Sequence, residues 1–435
     1  MTGKLAMANI LCLMLFCLFP ALEAQQTAAD RLPRVFLLDA ETLVEQKHHA
    51  NGELVTAVRE AADRALKAGP FSVMDKAAVP PSGDKHDYMS QGPYWWPNPK
   101  TANGLPYVRR DGERNPEITK ITDHDHREAM QRASQSLALA FYLTGNETYA
   151  ERAALLLRTW FLDPATRMNP NLNFGQGIPG INTGRGTGII DTAGLVDVVD
   201  TVGLLAGSRS WTAKDQKGME KWFADYLSWL QHSSNGRDEA AAKNNHGSFY
   251  DVQVADFALF VGQRELARAV VKESEQKRLA QQVNPDGSQP LELARTRSFS
   301  YSVFNLRALM SLAELGKHLN LDLWHFHTHD GRSIQRALDF LLPYATGNKP
   351  WQHQQISDLK PQELVPLLLK AAIRLQNPGY SKAAQKIGIP DHDVNVLLLG
   401  AKLHAKISKA NAFYAFPGMM PSSSIRSCEI ILPYS

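Results

Sequence analysis

The sequence predicts an all-α fold, an incomplete α/α toroid built from helical hairpins. Three observations lead there: apolar residues recur at helical spacing over long stretches, strand-like alternation is scarce, and successive hairpins follow one another without a tight sequence repeat. An α-solenoid of regular repeats is the competing architecture, and the unequal hairpin lengths and long loops argue against it.

Taken in order, Arg127 to Leu143 carries Ala133, Leu137, Ala140 and Phe141 on one side; Gly145-Asn146 breaks it, and Tyr149 to Phe161 resumes the pattern. Ile189 to Leu205 and Thr212 to Leu230 make a second pair. Thr212 is the expected N-cap of the latter, with Asp215 three residues on. Ser248 to Val261 pairs with Glu265 to Gln282, and Ser298 to His318 with Gly331 to Tyr344. Glu363 to Leu375 and Val394 to Ile407 form the last expected pair.

Met1 to Ala24 reads as a secretory signal peptide: Lys4, an apolar run from Ile10 to Phe19, then Pro20 and small residues ending at Ala24. No later stretch approaches the roughly 20 apolar residues of a membrane span. Removing residues 1–24 leaves Cys428 as the sole cysteine and no intramolecular disulfide. The expectation is a bacterial periplasmic or secreted protein with residues 25–435 forming a single toroid domain, without membrane insertion after processing. The tail after about residue 407, with Ser422-Ser423-Ser424, departs from the helical pattern.

The 435 residues are 44% hydrophobic and 21% charged, enough for a large core. A net charge of +3 is no nucleic-acid signature, although a local basic cleft for an acidic polymer is compatible with it. No phosphate-binding glycine loop follows a strand, so no nucleotide cofactor is expected. His325, His327 and His329 with Asp330, and Asp123-His124-Asp125-His126, lack the i, i+4 histidine spacing of a helical zinc site, and no catalytic metal is expected either.

Polar and aromatic residues concentrate in two loops. The segment from Lys85 to Pro99 contains Tyr94, Trp95 and Trp96, whose rings suit stacking on the C–H faces of sugars; plugging the core is the competing role for each. The loop Asn169 to Gly188 offers Gln176, Asn182 and Arg185 among glycines and prolines.

The chemistry lies in two further segments. Asn244-Asn245-His246 opens one helical stretch, and Arg295-Thr296-Arg297 followed by Tyr301 opens another. A carbon acid beside an ionised carboxylate is very weak, because its carbanion adds charge to a group already carrying one. Amide, imidazole and guanidinium donors that neutralise the carboxylate remove that obstacle, and a positioned phenol can accept the proton. Such a set points to a polysaccharide lyase acting on uronic acids. Tyr titrates near pH ~10 when free, so Arg295, Arg297 and a protonated His246 are expected to stabilise its phenolate. Two assignments remain open: Tyr301 moves both protons, or His246 is the base and Tyr301 the acid.

Tyr94-Trp95-Trp96-Pro97, Asn244-Asn245-His246 and the run from Asn284-Pro285-Asp286-Gly287 through Gln289 and Glu292 to Arg295-Thr296, with Tyr301, resemble the alginate lyase domain superfamily, and within it polysaccharide lyase family 38. The resemblance spans roughly Val35 to Ile407. It implies an α/α toroid lyase that cleaves 1,4-linked polyuronates, glucuronan or mannuronate-rich alginate, by β-elimination. Carried over residue by residue, Tyr301 matches the catalytic Tyr, His246 and Asn245 the His and its neighbour, and Arg295 the Arg, with Arg297 as a substitute for it. The candidate catalytic residues are therefore Tyr301, His246, Asn245 and Arg295. The candidate substrate-binding residues are Tyr94, Trp95, Trp96, Gln176, Asn182, Arg185, Gln289 and Arg297; Glu292 either touches sugar hydroxyls or pairs with an arginine. An inverting glycoside hydrolase would instead use two of Asp191, Asp286 and Glu292. A non-catalytic polysaccharide-binding protein is the remaining alternative.

Overall fold

The computed structural model describes residues 32–48, 52–389 and 396–403. The expected signal peptide, Cys428 and the tail lie outside the described residues. Helices dominate the rest, and the only strands are short: Met89–Gln91 pairs in parallel with Phe174–Gly177, and Trp95–Trp96 pairs antiparallel with Val108–Arg109.

An inner row of helices carries the core. Asp123–Thr144 packs on Leu195–Leu204, which packs on Asn245–Phe260, which in turn packs on Ser298–Lys317. Outer partners follow: Glu147–Leu157 returns along Asp123–Thr144 and Arg264–Ser274 along Asn245–Phe260 by short turns, and Ile334–Ala345 along Ser298–Lys317 after a longer loop. An inner helix touches neighbours on all sides and so is buried all round, with few exposed polar positions. Asn245–Phe260 shows this most fully, since every residue in it is buried except His246.

Thr212 caps Ala213–His232 as expected, and Asp215 completes the reciprocal capping box. The pairing expected for this helix is corrected. It packs chiefly on Asn245–Phe260 and on the wide turn Arg158–Leu162, not on Leu195–Leu204. The stretch from Ile189 is also less helical than its periodicity suggests, beginning as a 3-10 segment over Gly186–Thr192. Glu265 to Gln282 is interrupted by another wide turn, Glu275–Leu279.

The last hairpin is corrected too. Val365–Arg374 packs on Pro378–Ile387, a helix that was not anticipated; of the expected partner, residues 396–403 are described and helical. Asn377 caps Pro378–Ile387, and Pro378 occupies its first turn, where no N–H is needed. Helices Ala40–Lys47, Glu53–Ala65 and Ser234–Ala241 were also not anticipated. Among the described residues no helix is long and apolar enough to cross a membrane.

Candidate active site

A cleft of about 1500 Å³ opens where the ends of the inner helices meet the loop platform that carries the short strands. His246 reaches it because Asn244 caps its helix, the Asn244 side chain accepting from the His246 N–H at 3.3 Å. The turn before that cap is held from behind. Arg278, 1% exposed, donates to both carboxylate oxygens of Asp251 and to the carbonyls of Ala240 and Ala242, at 2.6–3.0 Å.

Across that turn, His246 Nδ1 lies 2.7 Å from Oε1 of Glu239, a residue that is 1% exposed. A carboxylate accepts, so Nδ1 carries the proton and Nε2 is left for the cleft. Glu239 lies seven residues upstream on the unanticipated Ser234–Ala241 helix, and no motif in the sequence marked it.

Asn245 is oriented by Glu292. The buried carboxylate accepts the Asn245 backbone N–H and side-chain amide, both at 2.7 Å. Burial raises the Glu292 pKa, and the two Asn245 donors oppose that rise. The arginine pairing expected for Glu292 is corrected: its hydrogen bonds come from Asn245.

Tyr301 enters from the neighbouring inner helix and donates its hydroxyl to that of Tyr94 at 2.8 Å. The Arg295 guanidinium carbon stands 3.7 Å from the centroid of the Tyr301 ring. Arg295 in turn binds Asp111, with Nη2 2.7 Å and Nε 3.1 Å from its oxygens, while Asp111 also accepts from the Thr296 N–H at 3.2 Å. The contact spans 184 residues, which is why sequence spacing did not reveal Asp111.

The expected phenolate is not what this arrangement favours. Burial pushes the Tyr301 pKa well up, and Tyr94 adds to the rise; Arg295 opposes it without prevailing. Arg297 also lines the cleft, but it precedes the helix as its cap residue, and its buried Nε has no partner.

Of the other candidates, Tyr94, Trp95, Gln176 and Arg185 line the cleft. Arg185 lies 5.9 Å over the Trp95 ring and donates to the Gln176 side chain at 2.8 Å, while Gln176 donates to Asp191 at 2.8 Å. Three candidates lie off the cleft wall and have other work. Trp96 donates to the Glu113 carbonyl beneath the Arg110 guanidinium. Asn182 accepts from the Ile178 N–H and closes its own turn. Gln289, 1% exposed, donates to the Ser302 carbonyl and accepts from Asn305, which also donates to Gln282. Arg109 and Arg114 line the cleft and were not anticipated.

The hydrolase carboxylates are held by neighbouring groups, although Asp191 does line the cleft. Asp191 accepts from Tyr88, Ser90 and Gln176, and Asp286 accepts from Ser288 across the turn where Gly287 adopts φ +90°. Among the described residues no group of three or more His, Cys, Asp or Glu is arranged to hold a metal.

Residues 72–351 match the sequence profile of the family described as alginate lyase. Among solved structures, an alginate lyase from Bacteroides ovatus is 41% identical with a TM-score of 0.81, the match covering 85% of this chain and 99% of that one. Alginate lyase A1-III from Sphingomonas species A1 is 15% identical with a TM-score of 0.55, covering 85% and 97%. A variant of A1-III complexed with tetrasaccharide gives a TM-score of 0.56 at 15% identity, again covering 85% and 97%. At that identity the A1-III likeness is one of fold. No curated protein sequence matches.

Proposed function

The chain belongs to the alginate lyase family and is a polysaccharide lyase, and from that premise we propose that it cleaves 1,4-linked polyuronates, glucuronan or mannuronate-rich alginate, by β-elimination. The observation that carries the reading is the convergence of Asn245, His246, Arg297 and Tyr301 on one cleft that holds several cations. Arg114 and Arg297 line the cleft and make no ion pair with a carboxylate among the described residues, so the cleft suits a polyanion.

In this mechanism the uronate carboxylate lies against Asn245, His246 and Arg297, whose donors take up the charge that develops as C5 loses its proton. Tyr301 serves as base and then as acid. The C5–H bond breaks, its electron pair forms the C4–C5 double bond, and the C4–O bond breaks with its pair passing to the glycosidic oxygen, which takes a proton. One residue can do both when hydrogen and leaving oxygen lie on the same face of the ring. The neutral phenol of the free enzyme must then lose its proton before it can act, and the Tyr94 hydroxyl, already hydrogen-bonded to it, can relay that proton by releasing its own to solvent in the cleft. Arg295, bound to Asp111, holds the Tyr301 ring rather than the substrate.

One observation favours a second assignment. The Glu239–His246 contact leaves an imidazole nitrogen free to accept a proton, with Tyr301 as acid. Both assignments yield a 4,5-unsaturated uronate that absorbs in the ultraviolet. Incubating the protein with glucuronan, mannuronan and guluronan while following that absorbance tests the reading; reducing ends without absorbance would mark a hydrolase, and intact polymer a binding protein. The pattern of residues 1–24 supports a periplasmic or secreted location, to be tested by N-terminal sequencing of the protein recovered from each cell fraction.

A further inference from the structure

The cleft continues past the Tyr301 hydroxyl along the same two inner helices. Phe249 follows His246 by one turn, Phe304 follows Tyr301 by one turn, and their ring centroids are 4.2 Å apart. One turn further on, Arg307 lays its guanidinium carbon 4.9 Å from the Phe304 centroid and 5.6 Å from that of Phe249. All three residues line the cleft. At ~1.5 Å per residue, the Arg307 backbone stands roughly 9 Å along the helix from that of Tyr301.

Arg307 is solvent-exposed, and it makes no hydrogen bond or ion pair with any described residue. The carboxylates that face it are Asp197 and Glu363. Asp197 already accepts from Gln131 at 2.8 Å, and its pKa is raised by burial, so it is an incomplete counter-ion. Lys370 lines the same stretch and brings a second cation. A guanidinium stacked on an aromatic face keeps its planar fork of N–H donors pointing outward, an arrangement that matches a carboxylate bidentately at little further ordering cost.

We propose that Arg307, with Lys370 beside it, forms a distal subsite that binds the carboxylate of a second uronate in the chain whose cleavage occurs at Tyr301, with Phe304 as the apolar floor between them. This rests on the reading of the substrate as a polyuronate and adds a preference for chain length. An oligosaccharide long enough to span both points gains affinity that a shorter one cannot.

The test is calorimetric titration of a mannuronate trisaccharide and a hexasaccharide into the full-length Tyr301→Phe protein, with and without Arg307→Met. The hexasaccharide should bind Tyr301→Phe more tightly than the trisaccharide, and Arg307→Met should reduce that advantage on the order of tenfold. Arg307→Lys, which keeps the charge and loses the fork, should reduce it severalfold and serves if the Met variant does not fold. An unchanged length advantage in the substituted protein overturns the subsite while leaving the polyuronate reading intact. Failure of these oligosaccharides and of the matching glucuronate trisaccharide and hexasaccharide to bind Tyr301→Phe overturns the polyuronate reading and the subsite with it.

Discussion

Arg295 lies 3.7 Å from the Tyr301 ring centroid, yet its hydrogen bonds run to Asp111, so one guanidinium couples a loop carboxylate to the face of the phenol. A cation over an aromatic face contributes about 0.5–2 kcal/mol. Here it also fixes where the phenol points, toward the Tyr94 hydroxyl and the cleft.

Tyr301→Phe removes one oxygen and keeps the ring under Arg295. Stability should fall by no more than about 0.5–1.5 kcal/mol, the worth of one hydrogen bond. Elimination should fall by at least ~10²–10⁴ while oligouronate binding survives. Unsaturated product formed at near wild-type rate would remove Tyr301 from proton transfer and leave His246 as the base.

Asn245→Ala and His246→Ala should each lower turnover by about 10²–10³ with the circular dichroism spectrum unchanged, because each removes a donor to developing charge. Normal turnover in both would reduce the pair to a structural role at the start of the helix.

Glu239→Gln keeps the size of the side chain and removes the carboxylate that orients His246. Turnover should drop about tenfold or more with a smaller change in KM, and the pH–rate profile should shift as the imidazole loses its anionic partner. Glu239→Asp should recover part of the rate. A stability loss without any change in the pH profile would make Glu239 a structural residue only.

Trp95 and Trp96 should behave oppositely. Trp95 lines the cleft, so Trp95→Ala should weaken oligosaccharide binding more than it lowers the melting temperature. Trp96 is held by Glu113 and Arg110, so Trp96→Ala should do the reverse. Melting curves and titrations of both variants decide.

Asp111→Asn tests the coupling through acid stability. Burial raises the Asp111 pKa, but hydrogen bonds from Arg295 and the Thr296 N–H outweigh it and hold the carboxyl well below the usual carboxylate range. A depressed folded pKa means stability that is fully present above the unfolded value near ~3.9 and lost as pH falls toward the folded one. The pair is partly exposed, so its contribution is on the order of 1 kcal/mol. Urea unfolding should show the variant losing that amount at neutral pH and losing less than the wild type between about pH 4 and 2; parallel acid limbs would contradict the coupling.

The sequence by itself determined most of the long helices and singled out the segments from which the proposed chemistry is argued. Periodicity and caps such as Thr212 are local properties, and Asn244-Asn245-His246 and Arg295 to Tyr301 are contiguous segments whose residue types already suit a carbon acid. Which helices pair was decided only by the tertiary structure, because an inner helix such as Leu195–Leu204 carries apolar residues toward several neighbours and no single stripe names its partner. The same holds for the site. Asp111 meets Arg295, and Glu292 meets Asn245, across separations of 184 and 47 residues. Burial raised the Tyr301 pKa where its arginine neighbours, counted along the chain, suggested the opposite. Spacing says which groups are near in sequence, whereas desolvation and pairing depend on which are near in space, and those are set when the ring of helices closes around the cleft.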